Sequence, residues 1–195
     1  IMVLFVPTIA VSIYRAFDKT MIGIFTDSSS ENGYYEQADR IVQMCITVPT
    51  ALSTVMAPRI ASNMAKKNID MVNEYMYKTY EALLLIAMPL GVGIFCTSNM
   101  IVPWFLGEQY YKVITLLKIF SIIIPIIALS NATGAQYLIQ AREEKVYTKS
   151  IFLGAIVNFG LNLLMIPRIA SAGAAIASVI AEFSILFYQM LYIIH

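Results

Sequence analysis

The sequence predicts an all-α fold, a polytopic membrane helix bundle of about six transmembrane helices. Of its 195 residues 59% are hydrophobic and 13% charged, against about 25% charged in an average soluble domain. Apolar runs near the length of about 20 residues that a spanning helix needs recur six times at roughly even spacing, at 2–25, 37–60, 79–101, 113–140, 151–166 and 173–194. The connections between them alternate between rich and poor in Lys and Arg, as loops on opposite sides of a membrane do. Backbone groups in hydrocarbon must be satisfied within the segment, so such runs are helices.

The first span begins with IMVLFVPTIAVS, free of charge, and IYRAFDKTMIG then places Arg15, Asp18 and Lys19 within five positions. At 100° per residue Thr8, Ser12, Arg15 and Lys19 fall within about 60° of one another, with Asp18 beside them, which gives the helix one polar stripe. The second span repeats the device. Glu36, Arg40, Gln43, Thr47, Thr50 and Thr54 recur at intervals of three and four, with Asp39 at the edge. Inserting an Arg, Lys or Asp near a helix centre costs about 2.5–3.5 kcal/mol, so both stripes must face something polar. A water-filled cavity or substrate path meets that need, and so does an interior ion pair of Asp18 with Arg15 or Lys19. Two cations against one anion, with Arg40 adding another, leave a surplus positive charge that in a low dielectric seeks an anion. The guanidinium fork suits phosphate oxygens.

Between the second and third spans, MAKKNIDMVNEYMYKTYE alternates apolar and polar residues at helical spacing. It reads as a cytoplasmic interfacial linker helix over 61–78, with Tyr75, Tyr77 and Tyr80 at headgroup level; a solvated linker helix fits the same pattern. Arg59, Lys66, Lys67 and Lys78 follow the second span and Arg142, Lys145 and Lys149 the fourth, whereas 26–36 has no Lys or Arg. The positive-inside rule therefore puts 61–78 and 141–149 in the cytoplasm. In the fourth span Lys118 is close enough to the outer end to snorkel. In the fifth, Asn158 and Asn162 stand one turn apart, suited to sugar hydroxyls or equally to hydrogen bonding between helices. In the sixth, Glu182 follows the small-residue face Gly173, Ala177, Ala181; it is a candidate for a proton or coupling-ion relay or a satisfied structural carboxyl. Pro7, Pro49, Pro58, Pro89 and Pro125 mark expected helix interruptions.

Cys45 and Cys96 have no metal-ligand spacing and read as buried apolar fillers, the one His is terminal, and no cofactor is implied. A net charge of +1 without a dense basic cluster argues against nucleic acid as a partner. The first segment lacks the basic n-region and cleavage site of a signal peptide. Because the chain opens with Ile inside an apolar run and stops one residue after its last span, it is expected to be a fragment.

The stretches YYEQADRIVQMCITVPTALSTVMAPRIASNMAKKN, IVPWFLGEQYYKVITLLKIFSIIIPIIALSNATGAQYLIQAREEK and NFGLNLLMIPRIASAGAAIASVIAE closely resemble the second half of Wzx-type polysaccharide flippases, of the multidrug/oligosaccharidyl-lipid/polysaccharide exporter superfamily. The resemblance covers nearly the whole chain. It implies that residues 1–195 form one six-helix lobe of a two-lobe transporter, the C-terminal half of a longer chain whose N-terminal lobe would be its partner. It further implies a carrier in the cell (cytoplasmic) membrane that flips undecaprenyl-pyrophosphate-linked oligosaccharide for capsule or O-antigen synthesis, alongside membrane lipids and with polymerase or assembly proteins as further partners. On this reading Arg15, Asp18, Lys19, Arg40, Gln43, Asn158 and Asn162 line the substrate cavity, Arg15 and Lys19 meeting the pyrophosphate or acidic sugars with Asp18 positioning them. A cation-coupled multidrug exporter of the same superfamily is the alternative, and would favour acidic cavity residues. A membrane enzyme of polysaccharide assembly needs a large extramembrane region or an acid/base constellation, and every loop here is short. The expected class is therefore a carrier and not an enzyme.

Overall fold

The computed structural model describes residues 16–26 and 28–194. Helix α1 covers 16–26, followed by α2 (Ser29–Ala65) and α3 (Ile69–Phe105). A 3-10 turn at Glu108–Tyr110 leads into α4 (Tyr111–Phe120), and α5 (Ile123–Asn131) continues into a π-helical turn at Ala132–Leu138. The last element, α6, covers Glu144–Ile194. No strand occurs among the described residues. Among the described residues three helices, α2, α3 and α6, are long and apolar enough to cross a membrane, and the bent pair Glu108–Phe120 and Ile123–Leu138 makes a fourth if taken as one span.

Helix α6 is not straight. Ile169 (φ −134°, ψ 19°) and Ala170 (φ 49°, ψ −133°) leave helical geometry two residues after Pro167, and the chain doubles back. Its two arms are antiparallel. Gln189 Nε2 donates to Ser150 Oγ at 3.0 Å, Asn158 lies 3.5 Å from Ser178, and a Cβ on Gly173 would stand 2.6 Å from the carbonyl carbon of Met165. Each arm is thus a span in its own right. Within the described residues the apolar runs of the sequence are helical, interrupted only by short turns at 121–122 and from 139 onward in the fourth.

The prolines behave unequally. Pro49 and Pro58 lie inside α2 and Pro89 and Pro103 inside α3 without ending either helix. Around Pro49, Thr47 and Thr50 donate to the carbonyls of Met44 (2.5 Å) and Ile46 (2.9 Å), which flank the Cys45 carbonyl that Pro49 leaves without its backbone donor. Pro125 has a larger consequence. It has no N–H to offer the Ser121 carbonyl four residues back, and α4 and α5 meet there at a bend of 46°. That carbonyl faces Gly91, where a Cβ would come within 2.8 Å of it, so only glycine allows α3 to pass. Pro7 lies outside the described residues.

Residues 61–78 are divided between the end of α2, a turn and the start of α3. Lys67 takes φ 56° in the turn, and the Asn68 side chain caps α3 by accepting from Met71 N at 3.3 Å. Residues 141–149 are likewise split between a turn, with Arg142 at φ 64°, and the first residues of α6.

The core lies where α1, α2, α3, α4, α5 and α6 converge. Met21, Ile22, Val42, Leu117, Ile124 and Ala174 are among its buried residues. The outer faces are apolar too: Leu85, Met88, Val92, Phe95 and Trp104 of α3 are all exposed. A contiguous apolar surface of this kind would aggregate in water and is satisfied by lipid. The chain is a multi-pass membrane protein. Cys45 is half-buried and Cys96 is exposed on α3, so the expectation that both cysteines are buried is corrected: Cys96 faces outward, where lipid takes the place of the core.

Candidate functional site

Asp18 lies at the centre of the site. It is 1% exposed and held by three elements. Asn162 Nδ2, from the first arm of α6, donates to its Oδ1 at 2.5 Å; Tyr35 Oη, from α2, donates to Oδ2 at 2.9 Å. Ser178 Oγ, from the second arm, is 3.0 Å from the same Oδ2 and 2.9 Å from the Ala174 carbonyl, so its single hydrogen is shared. Asn162 also donates to Asn158 Oδ1 at 3.0 Å, while its own Oδ1 is buried without a protein partner. Among the described residues no cation lies within ion-pairing distance of Asp18. Among the described residues the carboxyl is therefore held by neutral dipoles alone.

Beside this cage is a cavity of about 30 Å³, lined in part by Asp18, Tyr35, Asp39, Gln43, Ser178 and Glu182. That is room for about one water or a small ion. Gln43 and Glu182 also wall a second cavity of about 270 Å³ between α2, α5 and α6. Among the described residues no Lys or Arg lines either cavity.

The cations lie elsewhere. Lys19 Nζ is 3.8 Å from Glu36 Oε1 and Arg40 donates to the same oxygen at 2.7 Å, all three partly exposed. The expectation that Asp18 pairs with Lys19 is thus corrected: Lys19 turns to α2 and shares Glu36 with Arg40, and Asp18 turns inward. Arg15 lies outside the described residues. Gln43 and Glu182 reach the cavities, and Asn158 and Asn162 form part of the cage. Asp39, at the edge of the α2 stripe, accepts from Gln43 Nε2 at 3.2 Å. Lys118 does not enter either cavity; its Nζ stands 5.8 Å from the Phe95 ring centroid.

A second buried carboxyl ties three chain segments together. Glu31, at the start of α2, accepts from Lys112 Nζ at the start of α4 and from Ser171 Oγ at 2.6 Å, at the start of the second arm of α6. Reasoning from the sequence did not single out Glu31, Lys112, Ser171, Tyr35 or Ser178. The available signals were a Glu in the first turn of a helix and serines beside the small-residue face of the sixth span. Among the described residues no group of three or more His, Cys, Asp or Glu could hold a metal ion.

Residues 2–115, more than half of the chain, match the model of a family described as polysaccharide biosynthesis protein. The chain belongs to this family. Among curated proteins, the lipid II flippase MurJ of Bacillus subtilis (strain 168) is 21% identical over 193 residues, 92% of this chain and 32% of the relative. The chain thus spans about a third of the length of the curated relative it matches. No solved structure matches it.

Proposed function

We propose that the chain is part of a carrier that flips undecaprenyl-pyrophosphate-linked oligosaccharide across the cytoplasmic membrane for surface polysaccharide synthesis, driven by a proton or monovalent cation that meets Asp18. Family membership and the similarity to a lipid II flippase support the cargo class. The observation that carries the coupling role is the neutral cage. An ionised Asp18 has no cation beside it among the described residues, so a proton on the carboxyl, or a cation shared with the unpaired Asn162 Oδ1, supplies the missing charge. Glu182, on the wall shared by both cavities, is the candidate for the next step of an ion's path. Lys19 and Arg40, only partly offset by Glu36, are the candidates for the pyrophosphate, with Arg15. Residues 61–78 and 141–149 face the cytoplasm on this reading, and a further lobe completes the cavity. The reading makes the protein a transporter and not an enzyme.

The acidic lining offers a second reading, a cation-coupled drug exporter, in which Asp18, Asp39 and Glu182 around the small cavity hold the coupling cation and the drug passes through the larger cavity. One experiment separates the two. The full-length protein in vesicles is given a fluorescent undecaprenyl-pyrophosphate-linked oligosaccharide or ethidium, under imposed proton and sodium gradients. The lipid should move in a gradient-dependent way, and Asp18→Asn should abolish that dependence at unchanged protein abundance. Movement of ethidium alone would favour the exporter, and gradient-dependent lipid movement that survives Asp18→Asn would remove Asp18 from the coupling role.

A further inference from the structure

Phe120 and Ile123 line the Asp18 cavity, whereas Ile122 and Pro125 of the same bend line a separate groove against Met88, Val92 and Phe95 of α3. The groove has a volume of about 280 Å³ and an almost wholly apolar wall. Gly91 contributes no side chain to it, and the 46° bend turns α5 away from the α4 axis. From Met88 to Phe95 it runs about 10 Å along α3, at 1.5 Å per residue. The Phe95 end carries a charge. Lys118 Nζ stands 5.8 Å from the Phe95 ring centroid, and among the described residues no carboxylate lies within ion-pairing distance of it. Beyond that end Trp104, Phe105 and Tyr111 are exposed, and Trp and Tyr are enriched at the membrane interface. The groove therefore descends from the headgroup level at the 105–111 turn, with an unneutralised ammonium near its mouth.

We propose that this groove binds one anionic phospholipid of the leaflet on the 105–111 side, an acyl chain lying in the groove and the phosphate meeting Lys118. The inference needs the multi-pass membrane fold and not the transport reading. A length of about 10 Å covers two thirds of one leaflet's hydrocarbon, which is about 15 Å deep, so the groove takes the upper part of a chain. The Phe95 ring face attracts the ammonium but is neutral, and a cation below the interface that has no anion in the protein is neutralised by a phosphate reaching down to it as its side chain reaches up. A helix of a second copy, or of the rest of a longer chain, is 10–12 Å across; it lies over such a groove and not in it, and leaves Lys118 without an anion unless it brings one. The occupant is a lipid of the bulk membrane and not the cargo lipid, because the groove shares no lining residue with either cavity.

The test uses the full-length protein in nanodiscs holding a trace of photoactivatable phosphatidylglycerol or phosphatidylcholine with the same diazirine-bearing acyl chain, and adducts are mapped by peptide mass spectrometry. Phosphatidylglycerol should label the groove residues about fivefold more than phosphatidylcholine, the equivalent of one basic residue against an anionic lipid. Lys118→Gln should bring the two lipids level, and Lys118→Arg should keep the difference. Val92→Trp, at an exposed wall position, should fill the groove and cut labelling by both lipids there while leaving adducts elsewhere unchanged. Equal labelling by the two lipids, an excess that survives Lys118→Gln, or an absence of groove adducts because another protein segment covers the site overturns the proposal. Loss of the phosphatidylglycerol adducts on adding one undecaprenyl pyrophosphate per protein hands the groove to the cargo and overturns it as well. Labelling is read without transport, so a carrier that moves its lipid normally with an unlabelled groove sinks this inference alone, and a labelled groove in a protein that moves nothing sinks only the transport reading.

Discussion

Replacing Gly173 by alanine should loosen the hairpin of α6 that carries two of the three side chains bonded to Asp18. The added Cβ would stand 2.6 Å from Met165 C, 2.7 Å from its O and 2.9 Å from Ile166 N, where ordinary contact begins at 3.4 Å. All three are backbone atoms, so no side chain can rotate away and the arms must part by about 0.5–0.8 Å. A gap of that order forfeits roughly a quarter to a half of each dispersion contact it opens, and overpacking typically costs about 1–3 kcal/mol. Alanine recovers up to about 1 kcal/mol of helix propensity, here and in a control at an open helical glycine alike, so the deficit relative to such a control is the full overpacking cost of about 1–3 kcal/mol. Asn158 and Ser178, already 3.5 Å apart across the arms, would separate beyond hydrogen bonding. Gly160→Ala is the control, since nothing lies within 4 Å of its added carbon. The assay is unfolding of the full-length protein in bicelles by added SDS. Equal midpoints for Gly173→Ala and Gly160→Ala would refute the close-approach argument.

Two further outcomes follow from contacts described above. Gly91→Ala should destabilise by about 1–3 kcal/mol, because the Ser121 carbonyl is backbone and cannot yield; a thermal midpoint equal to wild type would contradict this. Glu31→Gln and Lys112→Gln should show a coupling of about 1 kcal/mol in a double-mutant cycle, modest because the Lys112 side chain is 46% exposed, and strict additivity would show the pair to be idle.

The fold was legible because hydrophobicity at membrane scale is written in local composition, and the apolar runs are helical wherever the chain is described. The polar faces were legible in part. Gln43, Thr47 and Thr50 line one cavity as their spacing on α2 suggests, and Asn158 with Asn162 share a face. Partner choice was not. Asp18 takes Tyr35, Asn162 and Ser178 and leaves Lys19 to Glu36, and a charge count along one helix cannot show which way adjacent side chains turn. The fold-back of α6 was legible as the gap between the apolar runs 151–166 and 173–194, and the structure turns the chain inside that gap. The turning residue itself was not, because Ala170 adopts φ 49°, a conformation in which glycine is the usual signal.

The Asp18 cage also sets an order of events during synthesis. Tyr35 follows Asp18 by 17 residues, but Asn162 follows by 144 and Ser178 by 160. At about 5–20 residues per second, roughly 10–30 s separate the emergence of the carboxyl from that of its last partner. The first helix therefore waits in the bilayer or at the insertion machinery with most of its ligands unmade, and arrival of the α6 hairpin is the event that closes the bundle around it.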